Sequence, residues 1–250
     1  MRRMVRGLRL AALGGALLSL LAAACSGGDD GAGTTVTEPV TAESVLNSAA
    51  EAMAAVDTVS FHLERTGAPV YLDSSGSFAF QEGDGRVSNT TSAADAVVKV
   101  KALGIDANVG AVSIDGELWL SNPLTGAWET APDSITFDPV TLFDPETGWT
   151  PLLRDDLTGA ELVDDAPDGQ WHVKGQAAGT RLDAITGGLV TDDAPMDLWI
   201  DQATGHVVTA EFATVSDEGE TSWRMDLSDY GVDVAITRPP RAPGAGIGGS

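Results

Sequence analysis

The spacing of apolar residues changes period along the chain and predicts one early helix followed by many strands. Behind Thr41, a residue type that caps helix starts well, apolar residues recur at helical spacing: Val45, Leu46, Ala49, Met53 and Val56. This spacing predicts a helix over residues 42–56. After Asp57 the period becomes two, because Val59, Phe61 and Leu63 alternate with polar residues. Such alternation is typical of a strand with one buried face.

The same alternation returns along most of the remaining chain. A second strand begins with Phe78 and Phe80, and further strands are predicted over residues 86–92, 96–103, 107–114, 117–121, 171–176, 196–200, 207–214, 221–227 and 232–236. Asp115-Gly116 predicts a two-residue hairpin, since a type I′ turn requires positive φ at both central residues. A run of antiparallel strands predicts a curved sheet or a partial barrel.

Two stretches interrupt the strands. Residues 138–154 combine Asp-Pro pairs with large apolar residues, and residues 179–189 place Leu182, Ile185 and Leu189 at helical spacing. We interpret both as short apolar-faced helices or turns inserted between strands. The predicted class is α+β.

The first 25 residues carry the features of an export signal. Arginines in the first ten positions precede an uncharged apolar run, and small residues lead into Cys25. This end resembles a bacterial lipobox, in which the cysteine is diacylated, although Ala22 stands where leucine is favoured. The alternatives are an ordinary secreted protein and an uncleaved anchor. The predicted organisation is a signal peptide over 1–24, lipidated Cys25 and a flexible tether over 25–40, a domain over 41–237 and a disordered tail over 238–250.

Composition excludes several classes of function. The net charge is −23, and from Cys25 onward 10 Lys and Arg face 37 Asp and Glu, so an acidic surface would repel nucleic acid. A single cysteine excludes an internal disulfide. His62, His172 and His206 fall at polar phases or strand edges, which predicts solvent exposure. The chain has neither a G-x-S-x-G elbow nor the D-x-D-x-D-G calcium spacing. We therefore expect no enzyme activity, no metal and no cofactor.

Four segments resemble the LppX/LprA/LprF/LprG family of actinobacterial envelope lipoproteins. They are the lipobox with its tether and Ala-rich helix; Asp115 to Leu120 followed by Trp128; the block from Phe137 through Leu142-Phe143, Gly148-Trp149 and Leu152-Leu153; and Leu198 to Val208. The resemblance implies a LolA/LolB/LppX-like fold, a strongly curved antiparallel half-barrel whose concave face is covered by helices. It also implies an apolar cavity that holds an acylated lipid or glycolipid for carriage across the envelope.

Inward-facing apolar residues are the candidates for the lining of such a cavity. From the strands these are Val59, Phe61, Leu63, Phe78, Phe80, Val98, Val100, Val112, Ile114, Leu118, Leu120, Leu198 and Ile200. From the helical lid they are Leu142, Phe143, Trp149, Leu152 and Leu153. For each residue taken alone, ordinary core packing is the favoured explanation, and only the family resemblance favours a cavity. The alternative function is a tethered, non-enzymatic interaction or accessory lipoprotein with a filled core, and a membrane transporter is the partner we consider for either function.

Overall fold

One antiparallel sheet dominates the computed structural model, which describes residues 39–73, 75–102, 104–132, 139–186 and 190–240. The sheet has 11 strands in the order β6-β5-β4-β3-β2-β1-β11-β10-β9-β8-β7. Their bounds are β1 Thr58–Gly67, β2 Phe78–Ser88, β3 Ala93–Ala102, β4 Ile105–Ile114, β5 Glu117–Ser121, β6 Trp128–Thr130, β7 Leu157–Val163, β8 Gln170–Ala177, β9 Ala194–Asp201, β10 Val207–Ser216 and β11 Gly219–Ser228. Two meanders therefore meet at the β1–β11 pair, and the edge strands β6 and β7 do not pair with each other.

A few short helices accompany the sheet. They are α1 (Ala42–Ala54), a 3₁₀ helix (Pro139–Phe143), α2 (Trp149–Pro151), which continues as a π-helical turn (Leu152–Asp156), and α3 (Gly179–Thr186). The 3₁₀ helix contacts β2 and β3, while the π-helical turn contacts β7 and β8. One face of the sheet, here called the inner face, is thus covered by helical segments. The predicted α+β class with a curved, unclosed antiparallel sheet is confirmed.

The first helix begins as its sequence predicts. Thr41 Oγ1 accepts a hydrogen bond from the Ser44 backbone N–H, and the Thr41 N–H donates to Ser44 Oγ, both at 3.1 Å. This reciprocal pair satisfies two of the backbone donors that every helix start leaves free. The helix ends at Ala54, two residues before the predicted end at position 56.

The Asp115-Gly116 hairpin between β4 and β5 is confirmed. Asp115 has φ 53° and Gly116 has φ 78°, so both central residues adopt the left-handed conformation that a type I′ turn requires.

Two strand predictions are wrong. Positions 86–88 end β2, and the turn beyond them is fixed by Asn89, whose side chain donates to the Val56 carbonyl at 2.7 Å. Residues 232–236 form no strand, although Val232 at their start lies beside β1. Both edges of β1 are already occupied by β2 and β11, so this segment makes isolated bonds such as Thr58 Oγ1 to the Val232 carbonyl at 2.7 Å.

Two strands were not predicted. β6 has three residues, too few for an alternating pattern. In β7 the register shifts between Thr158 and Glu161, and Gly159 has a positive φ of 62°. Such a bulge moves the following residues out of phase and hides the alternation.

Several predictions lie outside the described residues. These are the signal peptide over 1–24, Cys25 with the tether as far as residue 38, the tail from 241 onward, and Phe137 and Leu189 within the helical stretches.

Candidate functional site

An apolar cavity lies between the inner face and the helical segments. Its volume is about 80 Å³. Six strands contribute to the wall: β1, β2, β3, β9, β10 and β11. The lining is Phe61, Leu63, Leu72, Phe80, Gly83, Ala96, Val98, Leu142, Trp149, Ile185, Thr186, Val190, Met196, Ala210, Phe212, Trp223 and Met225. The site is therefore at the centre of the sheet, where the two meanders join.

The strand register brings these side chains onto one face. Leu63 lies opposite Met225 on β11 and opposite Gly83 on β2. Phe212 on β10 pairs with Trp223 and with Met196. Since paired residues point to the same side of a sheet, the wall is continuous across the six strands.

Small residues keep space open in this wall. Gly83, Ala96 and Ala210 line the cavity among much larger neighbours, and Ala210 is almost fully buried. A Cβ placed at Gly83 would lie 3.6 Å from the Phe80 ring, which is an ordinary contact. The cavity thus exists because three strands present little or no side chain at its floor.

The lining offers almost no free polar group. Thr186 is the hydroxyl-bearing residue of the lining, and its Oγ1 donates to the Leu182 carbonyl at 2.6 Å and accepts from the Val190 N–H at 3.0 Å. Trp223 Nε1 donates to Thr214 Oγ1 at 3.3 Å. These groups are satisfied within the protein and leave an apolar surface toward the cavity.

The indole N–H of Trp149 differs from these hydrogen-bonded groups. Its side chain is buried and its Nε1 has no hydrogen-bond partner among the described residues. A buried donor without an acceptor costs about 1–3 kcal/mol, so native structures rarely leave one without a reason.

An arginine links the helical segments over the cavity. Arg181 on α3 donates from Nε to Asp156 Oδ2 at 2.7 Å and from a terminal nitrogen to the Thr147 carbonyl at 2.9 Å. Arg181 therefore ties α3 to both ends of the segment that contains α2, and we call this group of contacts the Arg181 clamp.

Six of the residues predicted from sequence line the cavity: Phe61, Leu63, Phe80, Val98, Leu142 and Trp149. Others are buried in the surrounding core without reaching the cavity: Val59, Val100, Phe143, Leu152, Leu153, Leu198 and Ile200. Leu118 and Leu120 are partly buried on β5, away from the cavity. Phe78, at the start of β2, is 37% exposed.

The expectation that Val112 and Ile114 face inward is wrong. Val112 pairs with Trp119 and Ile114 with Glu117, whereas the inner-face residues Leu118 and Leu120 pair with Ser113 and Ala111. Both phases of β4 are buried near its end, so apolar character does not distinguish its two faces. The ring of Trp119 and the guanidinium of Arg238, 4.7 Å from the ring centroid, cover the outer face there.

Sequence reasoning missed more than half of the lining. Phe212, Trp223 and Met225 belong to predicted strands whose alternation could have identified them. Gly83, Ala96 and Ala210 carry too little side chain for a hydrophobic pattern to detect.

His172 is not exposed as predicted. It is 3% exposed, its Nε2 lies 2.6 Å from Asp197 Oδ1, its Nδ1 bonds Asp165, and its ring stacks on Trp199. The bond from His172 lowers the pKa of Asp165 below its usual value. These groups lie on the outer face and do not reach the cavity.

The outer face carries other charged pairs. Arg224 bonds both Glu211 and Asp226, and Arg86 bonds Asp95. Burial raises the pKa of Asp226, but the bonds from Arg224 and Thr209 outweigh it and the pKa is lowered overall. Within the described ranges no group of acidic, histidine or cysteine side chains is arranged to hold a metal ion. No helix in the described part of the chain has the length and apolar character needed to span a membrane.

Comparisons with known proteins agree with this architecture. The sequence profile of the LppX_LprAFG lipoprotein family matches residues 41–236. The chain is similar to LprF from Mycobacterium bovis, at 18% identity over 79% of this chain and 96% of that chain, with a TM-score of 0.60. This likeness shows the fold.

More distant likenesses extend to two other structures. A LolA-superfamily protein from Nitrosomonas europaea aligns at 14% identity over 80% of this chain and 99% of that chain, with a TM-score of 0.28. The MucA/MucB complex of Pseudomonas aeruginosa aligns at 17% identity over 78% of this chain and 58% of that chain, with a TM-score of 0.37. A search among curated proteins finds no match.

Proposed function

The chain belongs to the LppX/LprAFG lipoprotein family, and from that membership we propose that it binds an acylated lipid or glycolipid in the apolar cavity and carries it across the cell envelope. The observation that supports this most is the cavity itself, whose described lining is apolar and whose Thr186 hydroxyl is already bonded within the protein. Every methylene exposed to water costs about 0.8 kcal/mol, so such a wall suits an acyl chain.

The cavity must widen to accept a whole lipid. A volume of about 80 Å³ holds a short part of one chain. The helical segments are the movable side of the wall, because they are short, whereas each central strand is hydrogen-bonded on both sides. In this proposal a lipid enters by displacing the segments that carry Leu142, Trp149 and Ile185.

The proposal includes a lipid anchor at Cys25. Two acyl chains hold a protein on a membrane where one chain does so only weakly. The chain purified from membranes should begin at Cys25 and carry a diacylglyceryl group, and Cys25→Ser should lack it; intact-protein mass spectrometry checks both. A wild-type mass without acyl groups would contradict the anchor.

Binding is tested by a matched pair of substitutions on β3. Ala96 lines the cavity, while its neighbour Val97 is on the outer face and 52% exposed. Residues 26–250, purified from a host rich in acyl lipids, should retain lipid in native mass spectrometry. Ala96→Phe should reduce the retained lipid about tenfold or more, since 1.4 kcal/mol of steric cost already gives that factor. Val97→Phe should retain as much as the wild type, and equal loss in both variants would contradict the site.

The small volume favours one second candidate. A tethered, non-enzymatic accessory lipoprotein that meets a partner such as a membrane transporter needs only a filled core, and about 80 Å³ is close to filled. Wild-type protein that is lipid-free after purification and takes up no added lipid would support this candidate over the carrier.

A further inference from the structure

An unpaired hydrogen-bond donor lies in the wall of the cavity. Trp149 is the first residue of α2 and lines the cavity with 4% of its surface exposed. Its indole Nε1 finds no acceptor among the residues that the structure describes, and it has no surface open to water or to the cavity. A ligand therefore reaches this N–H only when the segment that carries Trp149 shifts, as the proposed entry of a lipid requires. A buried N–H in this position is unfavourable unless a ligand supplies an acceptor.

We propose that the Trp149 indole N–H donates a hydrogen bond to an ester carbonyl oxygen of the bound lipid and thereby selects ester-linked over ether-linked lipids. The assignment rests on the proposed lipid-binding function and specifies the ligand of the same cavity. An indole N–H is only a donor, so its partner must be an acceptor.

The surroundings of Trp149 select a neutral acceptor. Among the residues that the structure describes, the lining contains no charged side chain, and a carboxylate or phosphate would enter it without a cation to compensate its desolvation. Arg181, the cation of the nearby clamp, is already paired with Asp156. An ester carbonyl is neutral and stands where the acyl chain joins the headgroup, so it fits an apolar cavity whose described lining has a single unpaired donor.

The second indole of the lining provides a built-in control. Trp223 also lines the cavity, but its Nε1 already donates to Thr214 Oγ1 at 3.3 Å. Replacing either tryptophan with phenylalanine removes one N–H and some ring surface, yet only the Trp149 substitution removes an unpaired donor. A difference between the two variants therefore reports the hydrogen bond rather than aromatic packing.

The experiment is a competition between two lipids that differ only in their linkage. The full chain is equilibrated in detergent micelles with equal amounts of dipalmitoyl phosphatidylglycerol and its dihexadecyl ether analogue, and native mass spectrometry measures the ratio bound. The wild type should favour the ester lipid roughly five- to tenfold, the size of effect that one net hydrogen bond produces. Trp149→Phe should bring the ratio close to one, and Trp223→Phe should leave it at the wild-type value.

Three other outcomes are possible: two would overturn the role of Trp149 alone, and the third would overturn lipid binding as well. A wild-type ratio near one, with both lipids bound, overturns the role of Trp149 and leaves lipid binding intact; this result needs no variant. A ratio that Trp149→Phe and Trp223→Phe reduce equally overturns it too, because packing then explains the preference. If the wild type binds neither lipid, the carrier function fails, and the assignment fails with it.

Discussion

Gly83 and Gly85 lie two residues apart on β2 and face the same side of the sheet, but only one of them has room for a side chain. A Cβ at Gly85 would lie 2.5 Å from the Phe61 ring and 2.7 Å from the Asp95 carbonyl oxygen. At Gly83 the nearest atom of the Phe80 ring is 3.6 Å away. The Phe61 ring therefore packs directly on the backbone at Gly85, which fixes this ring in the cavity wall.

Alanine at these two positions should have different effects on stability. Gly85→Ala should lower the free energy of unfolding by about 1–3 kcal/mol, the usual cost of overpacking, because the Asp95 carbonyl cannot yield as a side chain can. Gly83→Ala should change the free energy of unfolding by less than about 1 kcal/mol. The new Cβ makes only an ordinary contact with the Phe80 ring, and alanine loses less backbone freedom on folding than glycine does. Urea unfolding of both variants checks this, and equal losses would show that the Phe61 contact is not tight.

His206 gives the stability of the fold a pH dependence. Its ring stacks on Tyr230 with centroids 4.1 Å apart, and burial lowers its pKa, although Asp201 partly opposes the shift. Burial also raises the pKa of the Tyr230 hydroxyl, which donates to the Val207 carbonyl. The folded state thus favours neutral His206 more than the unfolded chain does.

The direction of this pH dependence follows from the difference between the folded and the unfolded pKa of His206. The folded pKa of His206 is below the unfolded value of about 6.5. The stabilisation that neutral His206 provides is therefore complete above pH 6.5 and is lost as the pH falls below this value and through the folded pKa. His206→Phe keeps an aromatic ring on Tyr230 but cannot titrate. Between pH 8 and pH 5 the wild type should lose more free energy of unfolding than His206→Phe, as measured by urea unfolding at each pH. Identical losses would mean that His206 is not desolvated in the fold.

At the scale of elements, the helical segments depend on the Arg181 clamp. Arg181 and Asp156 are both largely shielded from solvent, so their ion pair is stronger than an exposed one. Arg181→Met should remove charged hydrogen bonds that contribute roughly 1.5–3 kcal/mol each. Hydrogen exchange at the amides of α3 should accelerate, while exchange in β1 and β11 should change less, because strand pairing does not involve Arg181.

Arg154 provides the control for this prediction. It is on the same π-helical turn as Asp156 but is exposed. Arg154→Met should leave the exchange of the α3 amides at the wild-type rate. If both arginine variants accelerate α3 equally, general loss of positive charge and not the clamp accounts for the effect.

The elements were largely predictable from sequence, because most strands alternate and are bounded by glycine turns. The prediction failed where tertiary structure decides. Residues 232–236 alternate like a strand, but β1, which Val232 contacts, already has a partner on each edge, and the bulge in β7 hides its alternation. The cavity was less predictable than the sheet. Its floor depends on small residues such as Ala96 and Ala210, and the inward phase of β4 is not marked by apolar character. The unpaired N–H of Trp149 is visible only in three dimensions.

At the scale of the whole molecule, charge and apolar surface are separated. The acidic residues and their arginine partners are distributed over the outer face, as the pairs of Arg86 and Arg224 show. The inner face holds the cavity and the apolar side chains that line it. An acidic outer surface keeps such a domain soluble in water while its inner face remains available to an apolar ligand.

The central claim is that an acyl chain occupies the cavity between the inner face and the helical segments. Photocrosslinking of the full chain with a phospholipid that carries a diazirine near the end of one acyl chain tests it directly, with the modified residues identified by peptide mass spectrometry. The account predicts crosslinks at cavity residues such as Met196, Phe212 and Met225, and their loss in Ala96→Phe but not in Val97→Phe. Crosslinks concentrated on the outer face around Val97 and Lys174, or crosslinks at cavity residues that persist unchanged in Ala96→Phe, would contradict it.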